Sequence, residues 1–183
     1  MKIKSVLKCA VGAVVLVGAA VGANATTTSL GLVTAGLAPT SFGGFAPIGD
    51  FIDNFTFTLP ANGGSGYSVA NFAPSGLGGT FNTIFSSLVL VKNPDGIMFN
   101  GDDLALSHAD GLNVNSLSFT MPSLVAGNYY LKVIGSTNGS SGGLYTGAIS
   151  VSAPVPEPES YAMLLAGLGV MGAIALRRRS KSE

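Results

Sequence analysis

The sequence predicts an all-β domain, an antiparallel β-sandwich or jelly roll, held between two ends that belong to export rather than to the fold. Three observations predict it. Apolar residues recur with period two along the middle of the chain, as half-buried strands require. Glycine supplies 26 of the 183 residues, and with Pro, Asn and Ser it punctuates those runs at turn positions. No stretch between the ends carries the apolar stripe of an amphipathic helix.

The first 25 residues read as a signal peptide. Three lysines in Met1 to Lys8 precede an apolar run from Cys9 to Val21, and Ala23-Asn24-Ala25 follows as a small-x-small cleavage site. Basic head, short apolar body and small-residue exit are the parts of a secretory signal. The run is short for a permanent span. The partners implied are the secretion machinery and a signal peptidase. Cleavage after Ala25 removes the single cysteine, Cys9, and with it any disulfide or thiol chemistry.

Residues 26–153 form the domain, long enough to bury one core. Phe51 to Leu59 sets Phe51, Asp53, Phe55, Phe57 and Leu59 on one face and Asn54, Thr56 and Thr58 on the other. Phe81 to Val91 is a long β-rich run in which Ile84, Leu88 and Leu90 alternate with small polar residues. Ser116 to Met121 sets Leu117, Phe119 and Met121 on one side. Tyr129 to Ile134 and Leu144 to Val151 flank the turn-rich Gly135 to Gly143, the pattern of a terminal hairpin. Asp53 breaks its own apolar face. A carboxylate placed there must be hydrogen-bonded, metal-bound or at a bulge.

Residues 154–183 are organised differently. Pro154 to Glu159 alternates prolines, which bar both helix interior and central strand. Tyr161 to Leu176 is uncharged and apolar, roughly 24 Å long as a helix against a hydrocarbon core of roughly 30 Å. Arg177, Arg178 and Arg179 follow as stop-transfer charges that hold that end on the cytoplasmic side. The segment reads as a short transmembrane helix that is used and then removed.

Pro156-Glu157-Pro158, a spacer, an apolar segment containing Gly167, Gly169 and Gly172, and a final arginine cluster together resemble the PEP-CTERM sorting signal. The resemblance implies recognition at Pro156, Glu157 and Pro158 by an exosortase, a membrane-embedded cysteine protease-transpeptidase. It also implies a Gram-negative, exopolysaccharide-producing source and delivery to the cell surface or extracellular matrix. Phe51, Asp53 and Phe55 further resemble the FxDxF motif of one subfamily, and Ala126 to Leu131 and Tyr145 to Val151 resemble its closing strands. No activity is implied with that subfamily.

Other patterns carry less. Gly139-Ser-Ser-Gly-Gly143 fits G-x-S-x-G around Ser141, but a strand pattern follows where a helix is needed and no histidine comes after it. Gly167 to Gly172 fits G-x-G-x-x-G, yet the chain ends before the acidic residue that a dinucleotide site needs. His108 and Asp110 lie two apart, the spacing of a surface pair on one strand face. Asp95, Asn100, Asp102 and Asp103 form the densest set of oxygen ligands, where calcium is expected if any ion binds. No glutamate closes that loop as in an EF-hand.

Charge narrows the partners. The whole chain is neutral, with nine basic and nine acidic residues. The domain holds six aspartates and two lysines, so it is weakly acidic, and nucleic acid is not an expected partner. The function expected is a non-enzymatic structural protein of the cell surface or exopolysaccharide matrix. A carbohydrate-binding, lectin-like module is the alternative class. It would need exposed aromatic platforms, and tryptophan is absent.

Overall fold

In the computed structural model, residues 24–36, 38–75, 78–154 and 158–179 are described. Among these residues nine strands form two sheets, and one helix follows. The strands are β1 (Asn24–Leu32), β2 (Thr40–Ala46), β3 (Gly49–Leu59), β4 (Gly64–Asn71), β5 (Thr83–Lys92), β6 (Leu104–Val114), β7 (Ser116–Met121), β8 (Gly127–Thr137) and β9 (Gly143–Ser152). The described residues are mostly strand, and the all-β expectation stands.

One sheet runs β1-β3-β8-β5-β6 and the other β2-β9-β4-β7. Their inner faces meet in a core that includes Phe42, Phe55, Tyr67, Leu88, Leu131 and Ile149. The alternation read from Phe51 to Leu59 is the alternation of β3, with Phe51, Phe55, Phe57 and Leu59 buried in that core. Leu117 is likewise buried, and Phe119 and Met121 pack against the core.

Three expectations change. The strands on either side of the Gly135–Gly143 turn do not pair as a hairpin. β8 lies between β3 and β5, whereas β9 lies between β2 and β4 in the other sheet. The turn is an arch from one layer to the other, and turn composition alone does not distinguish an arch from a hairpin. Second, Ile84 does not share a face with Leu88 and Leu90. A bulge between Phe85 and Ser87 changes the phase of β5, burying Phe85 and leaving Ile84 half-exposed. Third, the sandwich is not purely antiparallel. β1 pairs with β3 in parallel, Asn24 opposite Phe51 and Thr26 opposite Asp53.

Glycine makes room between neighbouring strands of the four-stranded sheet at one point. A Cβ on Gly147 in β9 would lie 2.2 Å from the Phe42 ring and 2.6 Å from the Ser68 carbonyl oxygen. Both β2 and β4 flank that position, so neither neighbour can yield without moving a strand. Gly147→Ala is expected to destabilise the domain by about 1–3 kcal/mol, readable as a lower urea midpoint. Leu112→Ala, at a side chain 90% exposed, should leave that midpoint within error.

Candidate functional site

The residues singled out by sequence fall in five places: a buried carboxylate between the sheets, a loop over the outside of the five-stranded sheet, the edge strand β6, the arch between β8 and β9, and the C-terminal helix.

Asp53 is 4% exposed and projects from β3 into the core. Its Oδ2 accepts a hydrogen bond from the Tyr145 hydroxyl, which comes from β9 in the opposite sheet. Its Oδ1 accepts a second from the Thr26 hydroxyl on β1. The flanking phenylalanines hold the tyrosine in place. The Phe51 ring stacks on Tyr145 with centroids 5.4 Å apart, and Phe55 meets it edge-on at 6.4 Å. Phe85 adds a third ring at 6.0 Å. Phe-x-Asp-x-Phe is therefore a clamp: two rings grip one tyrosine and the carboxylate between them accepts its proton donor. The sequence located both halves of this clamp, in the Phe51–Phe55 motif and in the Tyr145–Val151 segment, without joining them. Thr26 gave no signal, because the pairing of β1 with β3 is invisible to local pattern.

Burial, and then the hydrogen bond to Asp53, push the Tyr145 phenol above its ordinary value. Burial also pushes Tyr67 up to about 12.

The loop between β5 and β6 folds over the outer face of its own sheet. Asp95 Oδ1 accepts the Ile97 amide at 2.8 Å, and its Oδ2 accepts the Asn100 side-chain amide at 2.8 Å. Asp103 Oδ2 accepts the Phe99 amide at 2.5 Å and the Tyr130 hydroxyl at 3.2 Å. Phe99, at a φ of 65°, meets the Tyr130 ring at 5.8 Å. The structure thus brings Asp95, Asn100 and Asp103 into one loop, where they shape its turns, and leaves Asp102 exposed. Among the described residues no group of three or more His, Cys, Asp or Glu side chains is arranged to hold a metal ion.

His108 Nε2 lies 3.3 Å from Asp110 Oδ2, both side chains well exposed on β6. Ser87 donates to the other oxygen of Asp110 at 2.6 Å. The carboxylate stands between hydroxyl and imidazole, whereas an imidazole that takes a serine proton must stand in the middle. Ser141 sits in the arch between β8 and β9. Its amide bonds to the Thr80 carbonyl, and Ser140 exchanges bonds with Thr80, so the G-x-S-x-G stretch stitches two loops together.

The helix α1 (Pro158–Arg179) opens on a proline, whose fixed φ suits a first helical position. Arg177, Arg178 and Arg179 form its last turn. Its apolar side chains, Met163, Leu165, Val170 and Met171 among them, are exposed and lie outside the core. Gly167, Gly169 and Gly172 meet nothing within 4 Å. No described helix is long and apolar enough to cross a membrane, since glycine and alanine dilute the run expected to span. Pro156, Glu157 and Ala23 lie outside the described residues; Ala25 lies in β1.

Residues 154–179 match the family profile of the PEP-CTERM protein-sorting motif. The chain carries that sorting signal. It is accordingly an exported protein sorted through its C-terminus, with an exosortase as its processing partner. No curated protein is significantly similar to the chain in sequence. Among solved structures, the pre-peptidase C-terminal domain of a Bacillus anthracis collagenase is 20% identical, with a TM-score of 0.40 over 68% of this chain and 94% of that one. An Aeromonas hydrophila periplasmic inhibitor of g-type lysozyme, PliG, is 16% identical, with a TM-score of 0.36 over 70% of this chain and 99% of that one. Likeness at that level carries nothing further about this PEP-CTERM protein.

The buried tyrosines set an alkaline limit. A phenol whose folded pKa is raised stabilises fully below its unfolded value near 10, and the contribution is lost as pH rises above that value. Stability should therefore fall from about pH 10 upward, by about 1.4 kcal/mol per pH unit for each such tyrosine. Urea unfolding across that range is expected to show a shallower decline in Tyr145→Phe, despite its lower stability at pH 7.

Proposed function

We propose that the protein is a non-enzymatic structural component of the cell surface or exopolysaccharide matrix of a Gram-negative bacterium. It enters the secretory route through its signal peptide and is held at the inner membrane by α1. An exosortase then releases it by cutting at Pro156-Glu157-Pro158. The observation that carries this reading is the sorting signal at 154–179, set on a helix whose apolar side chains stand clear of the core. A weakly apolar segment ending in arginines suits transient anchorage, because a span held loosely is one that a protease-transpeptidase can surrender.

Glu157→Ala is expected to leave export intact and to block tail removal. Intact-mass measurement of the surface fraction from the native host should then find residues 158–183 retained. Normal tail removal in Glu157→Ala would sink the sorting assignment at these residues.

The carbohydrate-binding reading has an observation of its own. The strands of the four-stranded sheet contain no charged residue; every aspartate and lysine of the domain lies on the other sheet or its connections. On the outer face of this uncharged sheet, Gly64 and Gly66 leave a trough along β4, part of two clefts of about 350 and 420 Å³. Its walls are Ser150 and Ser152 on one side and Ser118 and Thr120 on the other. Ser152 donates to the Gly64 carbonyl at 3.0 Å, which leaves its oxygen's lone pairs facing outward as acceptors. Phe72, 54% exposed, stands at the end of β4. An uncharged trough with hydroxyls on both walls, and an exposed aromatic ring beyond the far end of the same strand, fits a neutral polysaccharide and offers no cation to an anionic one. Electrophoresis of the exported protein through gels containing a neutral glucan should show retardation that Phe72→Ala reduces and Leu112→Ala does not. Equal mobility with and without the glucan would dispose of this reading.

A further inference from the structure

Asp53 is buried and hydrogen-bonded to two hydroxyl groups, Thr26 and Tyr145, and neither supplies a positive charge. The domain's two lysines do not serve. Among the described residues neither Lys92 nor Lys132 forms an ion pair with it; Lys132 stands over the Phe99 ring, 5.9 Å away, on the outside of the sheet. An ionised carboxylate in such a place costs stability unless a cation pairs with it. Among the described residues, Tyr145 is the titratable group that faces it. From β8, the residue opposite Asp53 is Val133, and the neighbouring rings of Phe51, Phe55 and Phe85 are apolar.

Thr26 is the residue that follows Ala23-Asn24-Ala25. In the unprocessed chain its nitrogen is a neutral amide. After cleavage at Ala25 the same nitrogen is the α-ammonium of the mature protein. Covalent geometry holds a threonine's nitrogen about 3–4 Å from its own hydroxyl oxygen, so a hydroxyl bonded to Asp53 keeps the ammonium within about 6–7 Å of that carboxylate. Opposite charges at that range begin to favour one another. Removal of Asn24 and Ala25 also frees the nitrogen to turn toward it. Thr26 is itself exposed, so the ammonium can keep part of its water while facing the buried group.

We propose that Asp53 is the receiving site for the amino terminus that signal-peptide removal creates at Thr26, so that export itself completes the buried cluster with an ion pair. The proposal rests on the export reading and on cleavage after Ala25. It assigns the aspartate of the Phe51–Phe55 motif a role that a clamp on Tyr145 alone does not need. A neutral side chain could have accepted the tyrosine's hydrogen bond without the cost of a buried charge.

The test compares two forms of the mature chain, one beginning at Thr26 and one retaining Ala25 in front of it. At pH 6 the Thr26 form should melt higher by about 2–4 °C. An amine that gains a carboxylate partner has its folded pKa raised, so its contribution is complete below the unfolded value near about 8 and fades as pH rises through the folded one. The difference should therefore vanish by about pH 10. In an Asp53→Asn background the two forms should melt together at both pH values. Titration of the ¹⁵N-labelled Thr26 amine by NMR should give a midpoint above the ordinary one. Equal melting of the two forms at pH 6, a difference that persists at pH 10, or an ordinary amine midpoint overturns the proposal. Amino-terminal sequencing of exported protein separates the two failures, because a start other than Thr26 overturns the cleavage reading itself.

Discussion

The hydrogen bond from Tyr145 to Asp53 joins the two layers of the sandwich, and the rest of the fold is arranged so that it can form. Asp53 belongs to the five-stranded sheet and Tyr145 to the four-stranded one. The tyrosine ring fills the space between them only because its neighbours are fitted to it. Phe51 and Phe55 supply its walls, and Gly44 on β2 lies so close that a Cβ there would be 3.2 Å from the tyrosine oxygen. Gly135 on β8 plays the matching part for Phe51, whose ring a Cβ would approach to 2.9 Å. A polar contact buried this deeply specifies alignment as well as stability. A slip of β3 or β9 by one residue would turn the carboxylate or the phenol out of the core.

Local pattern reached a particular depth into this structure. β3 and β7 were legible because their alternation is uninterrupted and each has one dry face. β1, β2 and β4 were not, because glycine, serine and threonine occupy so many of their positions that period two leaves little apolar trace; β6 was not, because it is an edge strand with no fully buried position to impose an alternation. β2, for example, reads Thr-Ser-Phe-Gly-Gly-Phe-Ala, with Phe45 exposed and Gly44 turned inward. The arch between β8 and β9 looked like a hairpin because both use the same turn residues, and only the identity of the paired strands tells them apart. The motif around Asp53 was visible as an anomaly, a carboxylate among phenylalanines. Its partners lie 27 and 92 residues away along the chain, a separation that no spacing argument spans. The sorting signal was legible in full because its meaning lies in the order of its parts along the chain.

The separation of charge between the sheets follows from what covers each of them. The five-stranded sheet carries the β5–β6 loop on its outer face, and Asp95 and Asp103 of that loop are bound to its own amides and to Tyr130. The four-stranded sheet has no such cover and no charge. A bare, uncharged face of glycine and hydroxyl residues is poorly defended against other strands at its edges, β2 and β7. Its hydroxyls are a partial remedy, since they keep the face hydrated while leaving it free of fixed charge. Such a face suits the matrix role proposed above.

Both ends of the mature domain meet at one group. Thr26, the first residue after the expected signal cleavage site, bonds to Asp53 from β1, and Tyr145 reaches the same carboxylate from β9, the last strand before the sorting signal. The backbone of β9 remains tied almost to its end, where the Gly63 amide bonds to the Ser152 carbonyl at 3.0 Å. The expected processing point at Pro156 to Pro158 therefore lies outside β9, whereas the one after Ala25 falls within β1 and removes Asn24 and Ala25, leaving the pairs from Thr26 onward to hold that strand on β3. A chain cut at both ends during sorting needs its first and last strands held by something other than the segments it loses. Asp53, in the interior and between them, meets that need from the middle of the sequence.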